Sequence, residues 1–541
     1  MRQTATRITH IRDYHEQTKH RMTGYARGPE MLDWDDQPNP FRSYDGAQLI
    51  ELPLSAQKPD RGYASLWKED SQGFQPSALN IDSLSSLLEL SLALSAWKQM
   101  GESRWSMRCN PSSGNLHPTE AYLILLNVSG IPNGVYHYRA DRHALELRCE
   151  LTSDAGDPSP TVLIGLSSIH WREAWKYGER SFRYCQHDVG HAIGALGYAS
   201  ATLGCTVNPV HISDSDLATL IGLKKSDSEK AEQEHPDCLL LLCSGDSKLA
   251  TGSELQSLID QASKSEWMGT ANQLNRRHFY QWDLVDQAAD LATRQADEPR
   301  LASAPELMKQ PPALASSSDA PAQQLIRQRR SAQGFDATTL MRQEQLFEIL
   351  DHLLPRESAP WHTLAEAPHI HLLLFIHRVK GLEPGLYAFP RTGIDGLNLL
   401  KGELKSDFLW KEVSSAPEHL PLYLLQEGKT QRFAVRLCCQ QTIAGSSAFS
   451  LGMLAEFDRA IERGQWHYRS LHWEAGSIGQ ALYLEAEAAG FRGTGIGCFL
   501  DDEVHEFAGI QSSRLQTIYH FTVGTPLHDP RITTWQPYSH R

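Results

Sequence analysis

The segment "RCNPSSGNLHPTEAYLILL" spans residues 108–126 and joins a polar loop (108–120) to an apolar run (121–126). The apolar part, "AYLILL" (121–126), predicts a buried strand. The preceding part concentrates hydrogen-bonding side chains between two prolines, and Gly114 permits close approach to the backbone. Such a loop is either an elaborate turn or one side of a ligand-binding site, and the segment alone does not separate the two.

Length, composition and charge narrow the class of protein. A chain of 541 residues with 40% hydrophobic and 21% charged residues predicts a soluble protein of two domains. No apolar run approaches the length needed to span a bilayer, and the N-terminus lacks the apolar region of a secretory signal. The nine cysteines have no metal-site spacing, so we expect free thiols, a cytoplasmic location and no metal. A formal net charge of -14 argues against nucleic-acid binding.

The two halves of the chain share a pattern. The sequence "NGVYHY" (133–138) is similar to "PGLYAF" (384–389), and each follows an apolar run. In both halves a glycine- and alanine-containing helical segment follows, starting at Gly190 and Gly476, and then a short helix and a closing strand. Four matched elements in one order predict a tandem duplication of an α+β unit. We therefore expect domains at 1–265 (the first half) and 323–541 (the second half).

Residues 266–322 are expected to connect the halves. The sequence "NQLNRRHFYQWDLVDQAADLATRQA" (272–296) has helical spacing, and the stretch that follows it is rich in Pro, Ala and Ser. This composition predicts a helix followed by a linker or an extended strap.

Two motifs in the second half are candidates for ligand binding. "RRSAQGF" (329–335) places Arg329, Arg330 and Ser331 at the end of a helical segment, which suits either a phosphate or a solvated helix end. "GFRGTGIGCFLDD" (490–502) contains G-x-G-x-G, but it follows a helix, whereas a dinucleotide fingerprint precedes one. Its glycines could still let backbone amides reach a flat ring system.

The segment "WREAWKYGERSFRYCQHDVGH" (171–191) is dense in titratable groups. Its neighbouring Lys176 and Tyr177 could act as a general base and proton relay if burial lowers their pKa values. The alternative is the charged start of an amphipathic helix with ordinary ion pairs.

Together these segments resemble the flavin-dependent nitroreductase superfamily and, more narrowly, its SagB/ThcOx-type dehydrogenases. The resemblance spans nearly the whole chain and rests on "YHEQTK" (14–19), "LDWDDQP" (32–38), "RCNPSSGNLHPTEAY" (108–122), "GVYHY" (134–138), "KYGERSFRY" (176–184), "RRSAQGF" and "GTGIGCFLDDEV" (493–504). It implies FMN as cofactor and an α+β nitroreductase-like fold. Here that fold is duplicated in tandem as an internal pseudodimer, with a mixed or antiparallel sheet flanked by helices in each half.

The resemblance also implies where FMN binds. Such proteins are normally homodimers in which one subunit supplies the Arg-Arg-Ser and glycine segments and the other supplies the Pro-Ser-Ser loop. In this chain the first half has the loop but has "CTVNPVHI" (205–212) in place of the glycine segment, and the second half has "TLAEAP" (363–368) in place of the loop. We therefore expect one complete site and about one FMN per chain, with a degenerate mirror-image site. The cofactor-binding residues of the complete site would be Arg108, Pro111, Ser112, Ser113, Asn115, Arg329, Arg330, Ser331, Gly495, Ile496 and Gly497.

Residue roles follow from the same resemblance. Arg329 and Arg330 would bind the phosphate, with Ser331 near the ribityl or phosphate oxygens, and Arg108 would place positive charge near the pyrimidine end of the flavin. The serines and Asn115 would contact the ribityl chain or ring edge, and the amides of 495–497 would face N5. Lys176 and Tyr177 match the catalytic Lys-Tyr pair of azoline dehydrogenases. Sequence leaves open whether they lie over the complete or the degenerate site.

The implied activity is oxidation of a peptide-like or small-molecule substrate, of the azoline-to-azole type, by hydride transfer to flavin N5. Two alternatives remain. One is an NAD(P)H-dependent nitro or quinone reductase, and the other is a flavin-poor scaffold or peptide-binding partner. The substrate, the electron donor or acceptor and any further oligomerisation stay open, and no membrane partner is expected.

Overall fold

The computed structural model describes residues 7–55, 59, 61–67, 76–153, 159–223, 232–245, 252–295, 300–303 and 305–539. In the first half the helices are α1 (Ile11–Gln17), α2 (Ile81–Ser91), α3 (His170–Tyr177), α4 (Ser181–Thr202), α5 (Asp214–Leu220) and α6 (Gly252–Lys264). The strands are β1 (Tyr44–Asp45), β2 (Leu49–Glu51), β3 (Leu94–Met100), β4 (Ser103–Arg108), β5 (Thr119–Leu126), β6 (Gly134–Arg139), β7 (Ala144–Glu150), β8 (Thr161–Ile169), β9 (Thr206–His211) and β10 (Glu234–Cys243).

The connection contributes β11 (Thr270–Ala271), α7 (Asp283–Leu291) and β12 (Arg300–Leu301). The second-half helices are α8 (Ala322–Gln328), α9 (Gln343–His352), α10 (Gly393–Glu403), α11 (Gln431–Leu437), α12 (Thr442–Ser446), α13 (Phe457–Glu462), α14 (His467–Ala488) and α15 (Asp501–Ala508). The strands are β13 (Met341–Arg342), β14 (Ile370–Ile376), β15 (Val379–Lys380), β16 (Gly385–Phe389), β17 (Lys411–Glu412), β18 (Tyr423–Glu427), β19 (Phe449–Glu456), β20 (Arg492–Ile496), β21 (Leu515–Gly524) and β22 (Thr533–Trp535).

Each half is built on one large antiparallel sheet, and the two sheets have the same strand order. The first sheet runs β12-β9-β10-β8-β5-β6-β7-β2 and the second runs β17-β18-β16-β14-β19-β21-β20. The stretch β9-β10-β8-β5-β6-β7 therefore matches β20-β21-β19-β14-β16-β18 strand for strand. Strands β5 and β14 lie inside their sheets and are buried along their whole length, which explains their nearly uninterrupted apolar sequences.

Helices α4 and α14 pack against each other at the centre of the molecule and join the halves. Their backbones approach most closely at Gly190 and Gly476, where a Cβ on either residue would overlap the carbonyl oxygen of Trp473 or His187, respectively, on the opposite helix. The hydroxyl of Ser477 donates a hydrogen bond of 3.0 Å to the carbonyl of Gly190. Because glycine has no side chain, it permits this close helix contact.

The ends of the chain cross between the halves. Strand β22, near the C-terminus, pairs with β3 of the first half, and β3 pairs with β4, which leads into the polar loop. At the other end, the backbone N–H of Ile11 donates to the side chain of Gln465 at 2.7 Å, and Arg12 pairs with Asp458. One core of buried apolar side chains extends through both halves.

The connecting segment differs in part from the prediction. A helix forms over Asp283–Leu291, but the helix predicted for 272–282 is wrong. There the backbone N–H groups of Leu274 and Asn275 donate to the carboxylate of Glu232 at 2.9 Å, and the side chain of Asn275 donates to the carbonyl of Asp36. Residues 305–320 form neither a helix nor a named strand, and the backbone N–H groups of Leu314 and Ser317 donate to Asp351 and Glu348 of α9, each at 2.8 Å. None of the helices in the described part of the chain combines the length and apolar character needed to cross a membrane.

Candidate active site

A cavity of about 380 Å³ lies between the two halves, on the side of α4 that carries the polar loop. This volume is in the range of small-molecule and cofactor sites. Its wall brings together predicted site residues of the first half, Arg108, Pro111, Ser112, Ser113, Asn115 and Tyr177, and of the second half, Arg329, Ser331, Gly495, Ile496 and Gly497.

The polar loop that precedes β5 is braced by its own side chains. Gly114 and Asn115 have φ angles of 58° and 61°, so the chain makes a left-handed turn at the cavity wall. The hydroxyl of Ser112 accepts a hydrogen bond from the backbone of His117 at 2.8 Å. The side-chain amide of Asn115 donates to the carbonyl of Ser106 at 2.9 Å. These bonds hold the shape of the loop, and contact of the same groups with a ligand stays a prediction.

Asp188 fixes this loop to helix α4. Its carboxylate accepts hydrogen bonds from the backbone N–H and the hydroxyl of Ser113 at 3.0 and 3.1 Å. Burial nevertheless raises the pKa of Asp188 to about 7. One helix away, Glu173 is also buried, and neither of its carboxylate oxygens has a hydrogen-bond partner in the described residues. Burial and the nearby Asp188 raise the pKa of Glu173 well above its usual range.

Lys176 and Tyr177 stand against this same loop. A Cβ placed on Gly114 would lie 2.6 Å from the hydroxyl of Tyr177 and 3.2 Å from the Nζ of Lys176. Tyr177 lines the cavity between the two halves, and Lys176 lies beside the same loop without lining that cavity. The condition set for that role, a lowered pKa, is not met by Tyr177, because burial and then Glu173 raise the pKa of its hydroxyl well above 10. Its proton is accordingly held tightly.

Arg329 lines the cavity and has two guanidinium nitrogens without a hydrogen-bond partner among the described residues. The side chain is buried, and its Nη2 donates to the carbonyls of Arg108 and Cys109 at 2.8 and 3.0 Å. Its Nε and Nη1 have no hydrogen-bond partner in the part of the chain that the structure describes. Buried donors of this kind suit an anionic ligand group, because an arginine binds phosphate or carboxylate through paired N–H bonds.

Arg330 does not join the other predicted residues. Its Nη1 donates to the carbonyls of Arg327 and Arg329 at 2.8 and 2.6 Å, and its Nη2 donates to the carbonyl of Ser95 at 3.0 Å. The side chain lines a neighbouring open cleft of about 840 Å³ instead of the cavity. Backbone carbonyls have taken its donors, so the structure gives Arg330 a place in holding the loop after α8.

The glycine segment on β20 is shaped by tyrosines. A Cβ on Gly495 would overlap the hydroxyl of Tyr519, and one on Gly497 would overlap the ring of Tyr184. The hydroxyl of Tyr483 accepts a hydrogen bond from the backbone N–H of Gly495 at 3.1 Å. The same hydroxyl is hydrogen bonded to the hydroxyl of Ser331 at 2.8 Å. Glycine is thus required here so that backbone and aromatic rings can form one wall.

Sequence reasoning missed several residues of this cavity. Tyr184, Asp188, His191, Tyr483 and Tyr519 all line it, and the Nε2 of His191 lies 3.0 Å from the hydroxyl of Tyr519. Tyr184, Asp188 and His191 lie in the segment 171–191, whose density of titratable groups was the available signal, whereas Tyr483 lies on α14 and Tyr519 on β21. Only the packing of α4 on α14 shows which of those side chains face the cavity.

The mirror-image position is nearly closed. The loop 363–367, which replaces the polar loop, lines a space of about 50 Å³ together with Trp466 and Trp473. Glu474 accepts a hydrogen bond from the backbone N–H of His369 at 2.8 Å, in the way that Asp188 does from Ser113, but Arg391 also donates to it at 2.5 Å. Trp466 and Trp473 therefore line a space much smaller than the cavity on the other side.

Comparison with known proteins gives a consistent picture of the fold. No family model matches the chain. It is 30% identical over 127 residues to "Putative nitroreductase MJ1384" of Methanocaldococcus jannaschii, which covers 21% of this chain and 64% of that protein. It is 32% identical over 146 residues to the trifolitoxin-processing protein TfxB of Rhizobium leguminosarum bv. trifolii, which covers 24% of this chain and 39% of that protein.

A solved structure matches almost the whole chain. It is described as a "putative nitroreductase" from Anabaena variabilis and aligns with a TM-score of 0.69 at 21% identity. The alignment covers 96% of this chain and 100% of that one. The two curated relatives, by contrast, are matched over less than two thirds of their length. The chain has a nitroreductase-like α+β fold.

Proposed function

We propose that this protein is an FMN-dependent oxidoreductase of the SagB-type dehydrogenase group, which oxidises a peptide-like or small-molecule substrate of the azoline-to-azole type. The observation that carries the proposal is the set of residues that line the cavity of about 380 Å³ between the two halves. The polar loop of the first half and Arg329 and the glycine segment of the second half line one space, and Lys176 and Tyr177 stand at its edge.

The residues present fit FMN. The Nε and Nη1 of Arg329 have no hydrogen-bond partner among the described residues and suit an anionic group. The buried Oδ1 of Asn110 also has no hydrogen-bond partner among those residues and suits a hydroxyl or an N–H donor. Residues 495–497 expose backbone to the cavity where side chains would close it. Arg329 would hold the phosphate, and Ser331 and the polar loop would lie along the remainder. When bound, FMN supplies a two-electron acceptor for the oxidation of the substrate.

Lys176 and Tyr177 have different parts in this proposal. Tyr177 keeps its proton on Oη, because burial disfavours the phenolate, and can donate a hydrogen bond to the substrate or relay that proton. The Nζ of Lys176 is the base that accepts a proton from the substrate ring. Glu173 and Asp188 lie next to this pair as buried acids that are protonated more readily than usual.

We further propose that the chain is a tandem duplication and an internal pseudodimer that binds about one FMN. The support is the matched strand order of the two sheets and the contact of α4 with α14 at Gly190 and Gly476. A cavity of about 380 Å³ on one side faces a space of about 50 Å³ on the other, and the smaller one is too small for a flavin ring. The domain bounds 1–265 and 323–541 are part of this proposal.

The names of the similar proteins support two candidate reactions for this chain. The name of the trifolitoxin-processing protein supports a peptide as substrate. The names of the Methanocaldococcus and Anabaena proteins support the second candidate, an NAD(P)H-dependent nitro or quinone reductase. Both reactions use the same cofactor cavity, so they differ in substrate and electron donor and not in the site.

A first experiment measures flavin. The purified protein is saturated with FMN, desalted, and its visible spectrum and released FMN are quantified against protein. We expect about one FMN per chain. Two FMN per chain would refute a single site shared between the halves, and no bound FMN would favour the alternative of a flavin-poor scaffold. In a second experiment the reduction of bound flavin is followed without oxygen. Reduction by a thiazoline-containing peptide but not by NADPH supports the dehydrogenase, and the reverse result supports the reductase.

A further inference from the structure

Two cysteines, Cys439 and Cys498, lie next to each other at the cavity between the two halves. Cys498 lines the cavity directly after Gly497, and its thiol is close enough to that of Cys439 for the two to interact. Both side chains are partly exposed, whereas five of the nine cysteines are buried. The pair has no part in the flavin site as proposed above.

The backbone holds the two segments in register. The N–H of Leu500 donates to the carbonyl of Leu437 at 2.8 Å, and the side chain of Gln441 donates to the carbonyl of Cys498 at 3.0 Å. These bonds flank the cysteine pair on both sides. Cys439 and the following residue, Gln440, both have left-handed φ angles, of 50° and 62°. Non-glycine residues adopt this conformation only when their surroundings impose it, and such positions are concentrated at functional sites.

The neighbours of Cys498 favour a thiolate. The Nδ1 of His20 accepts the backbone N–H of Ala26 at 3.0 Å, so Nε2 is the nitrogen left to donate to the sulfur. Arg180 adds positive charge from the adjacent turn, where its Nη2 donates to the carbonyl of Gly497 at 3.3 Å. The hydrogen bond from Cys439, and then His20 and Arg180, lower the pKa of Cys498 below its ordinary range.

The other thiols differ from Cys498 in this respect. The hydrogen bond to Cys498 raises the pKa of Cys439, so this thiol is the partner that keeps its proton. Cys438 is buried beside His520, and burial raises its pKa. Cys243 is partly exposed like Cys498, but burial also raises its pKa, and its sulfur accepts a hydrogen bond from Asn208. Cys243 is therefore a suitable internal control.

We propose that Cys498 and Cys439 form a thiol–disulfide exchange site at the cavity rim, with Cys498 as the attacking thiol and Cys439 as the resolving thiol. The Cys498 thiolate attacks the S–S bond of a low-molecular-weight disulfide, forms a mixed disulfide and releases one thiolate. Cys439 then loses its proton to solvent and attacks the sulfur of Cys498, which forms the Cys439–Cys498 bond and releases the second thiolate. The protein pair is oxidised by two electrons and the small disulfide is reduced by two.

The test uses the full-length protein as purified, reduced with dithiothreitol and desalted. It is mixed with glutathione disulfide at neutral pH, quenched with acid, alkylated with N-ethylmaleimide, and analysed by intact mass and peptide mapping. We expect a cross-linked pair of peptides that contain Cys439 and Cys498, formed at least tenfold faster than glutathione adds to Cys243. The measurement follows thiols alone, so the expected result does not require that FMN binds.

Two variants separate the steps. In Cys439→Ser the mixed disulfide should persist on Cys498, and in Cys498→Ser glutathione should add to Cys439 no faster than to Cys243. The proposal is overturned if wild-type Cys498 reacts no faster than Cys243, or if the cross-link joins Cys438 to Cys439. It is equally overturned if a folded Cys439→Ser protein accumulates no adduct on Cys498. The wild-type comparison needs no variant, so misfolding of a variant does not obscure the result.

Discussion

The carboxylate of Asp188 accepts hydrogen bonds from both the backbone N–H and the hydroxyl of Ser113, at 3.0 and 3.1 Å. This contact joins the central helix of the first half to the loop that forms one wall of the cavity. Glu474 stands at the equivalent position of the second half, two residues before Gly476 as Asp188 is before Gly190, and accepts the backbone N–H of His369. The two acids thus share a structural task, but only the first lies at an open cavity.

Replacing Asp188 with Ala should weaken FMN binding by about tenfold or more, because the half-buried N–H and hydroxyl of Ser113 lose their acceptor at a cost of ~1–3 kcal/mol and the loop is free to shift. Asp188→Asn keeps an acceptor oxygen and should retain most of the affinity. FMN titration of the apoprotein, followed by fluorescence quenching, measures both. Glu474→Gln is the matched control in the mirror-image half and should bind FMN like the wild type. Equal affinity of Asp188→Ala and wild type would show that the loop does not need this contact.

Asp188 should also make stability depend on pH. Burial raises its pKa to about 7 in the folded protein, so the folded state binds this proton more tightly than the unfolded chain does. The resulting stability is fully present below the unfolded pKa, near 4, and is lost as the pH rises through about 7. Between pH 4.5 and 8 the wild type should therefore lose ~1 kcal/mol or more of unfolding free energy relative to Asp188→Asn. Urea unfolding at several pH values tests this, and parallel pH profiles for the two proteins would contradict it.

The sequence was sufficient to predict which distant segments meet, but not how each side chain is used. Arg108 and Arg329 are 221 positions apart, and their joining could be predicted because each half lacks what the other has. The orientation of Arg330 could not, because it depends on the carbonyl of Ser95 in a strand of the other half. The helix predicted for 272–282 is also absent, and there the backbone of Leu274 and Asn275 is held by the carboxylate of Glu232, which is distant in sequence. The local sequence pattern therefore predicts most helices and strands, whereas the arrangements at Arg330 and at residues 272–282 involve hydrogen bonds to residues distant in sequence.

Alanine at Gly495 or Gly497 should destabilise the protein and reduce FMN binding, because the new methyl group overlaps Tyr519 or Tyr184. Overpacking of this kind costs ~1–3 kcal/mol. Gly402 is the matched control, since it lies in α10, a methyl group there would meet no described atom within 4 Å, and its backbone angle is not left-handed. Gly402→Ala should be neutral or slightly stabilising. Thermal unfolding and FMN titration of the three variants are the measurements, and tolerance of alanine at both 495 and 497 would refute the tight tyrosine wall.

Arg329 and Arg330 should differ strongly in their effect on FMN. Arg329→Ala removes the donors that face the cavity without a partner among the described residues, and it should weaken binding more than tenfold, since charge-assisted hydrogen bonds contribute ~1.5–3 kcal/mol. Arg330→Ala should have a much smaller effect, because its donors are held by backbone carbonyls outside the cavity. Arg329→Lys, which keeps the charge but not the paired N–H geometry, should fall between them. An equal loss in the two alanine variants would mean that both guanidinium groups reach the phosphate.

Lys176 and Tyr177 should affect turnover and leave flavin content unchanged. They stand beside Gly114 at the edge of the cavity, and their proposed task is to take and relay a proton of the substrate. Lys176→Met and Tyr177→Phe should therefore retain about one FMN per chain but slow oxidation of a thiazoline peptide by ~10²–10⁴-fold, the usual contribution of a general acid or base. Glu462 and Arg463, which occupy the matching positions of the second half, serve as controls, and their alanine variants should oxidise the peptide at the wild-type rate. Single-turnover reduction of bound flavin by the peptide isolates this step from reoxidation. If both Lys176 and Tyr177 variants reduce flavin as fast as the wild type, the pair has no part in the proton transfer, and the base must be sought among the other groups of the cavity.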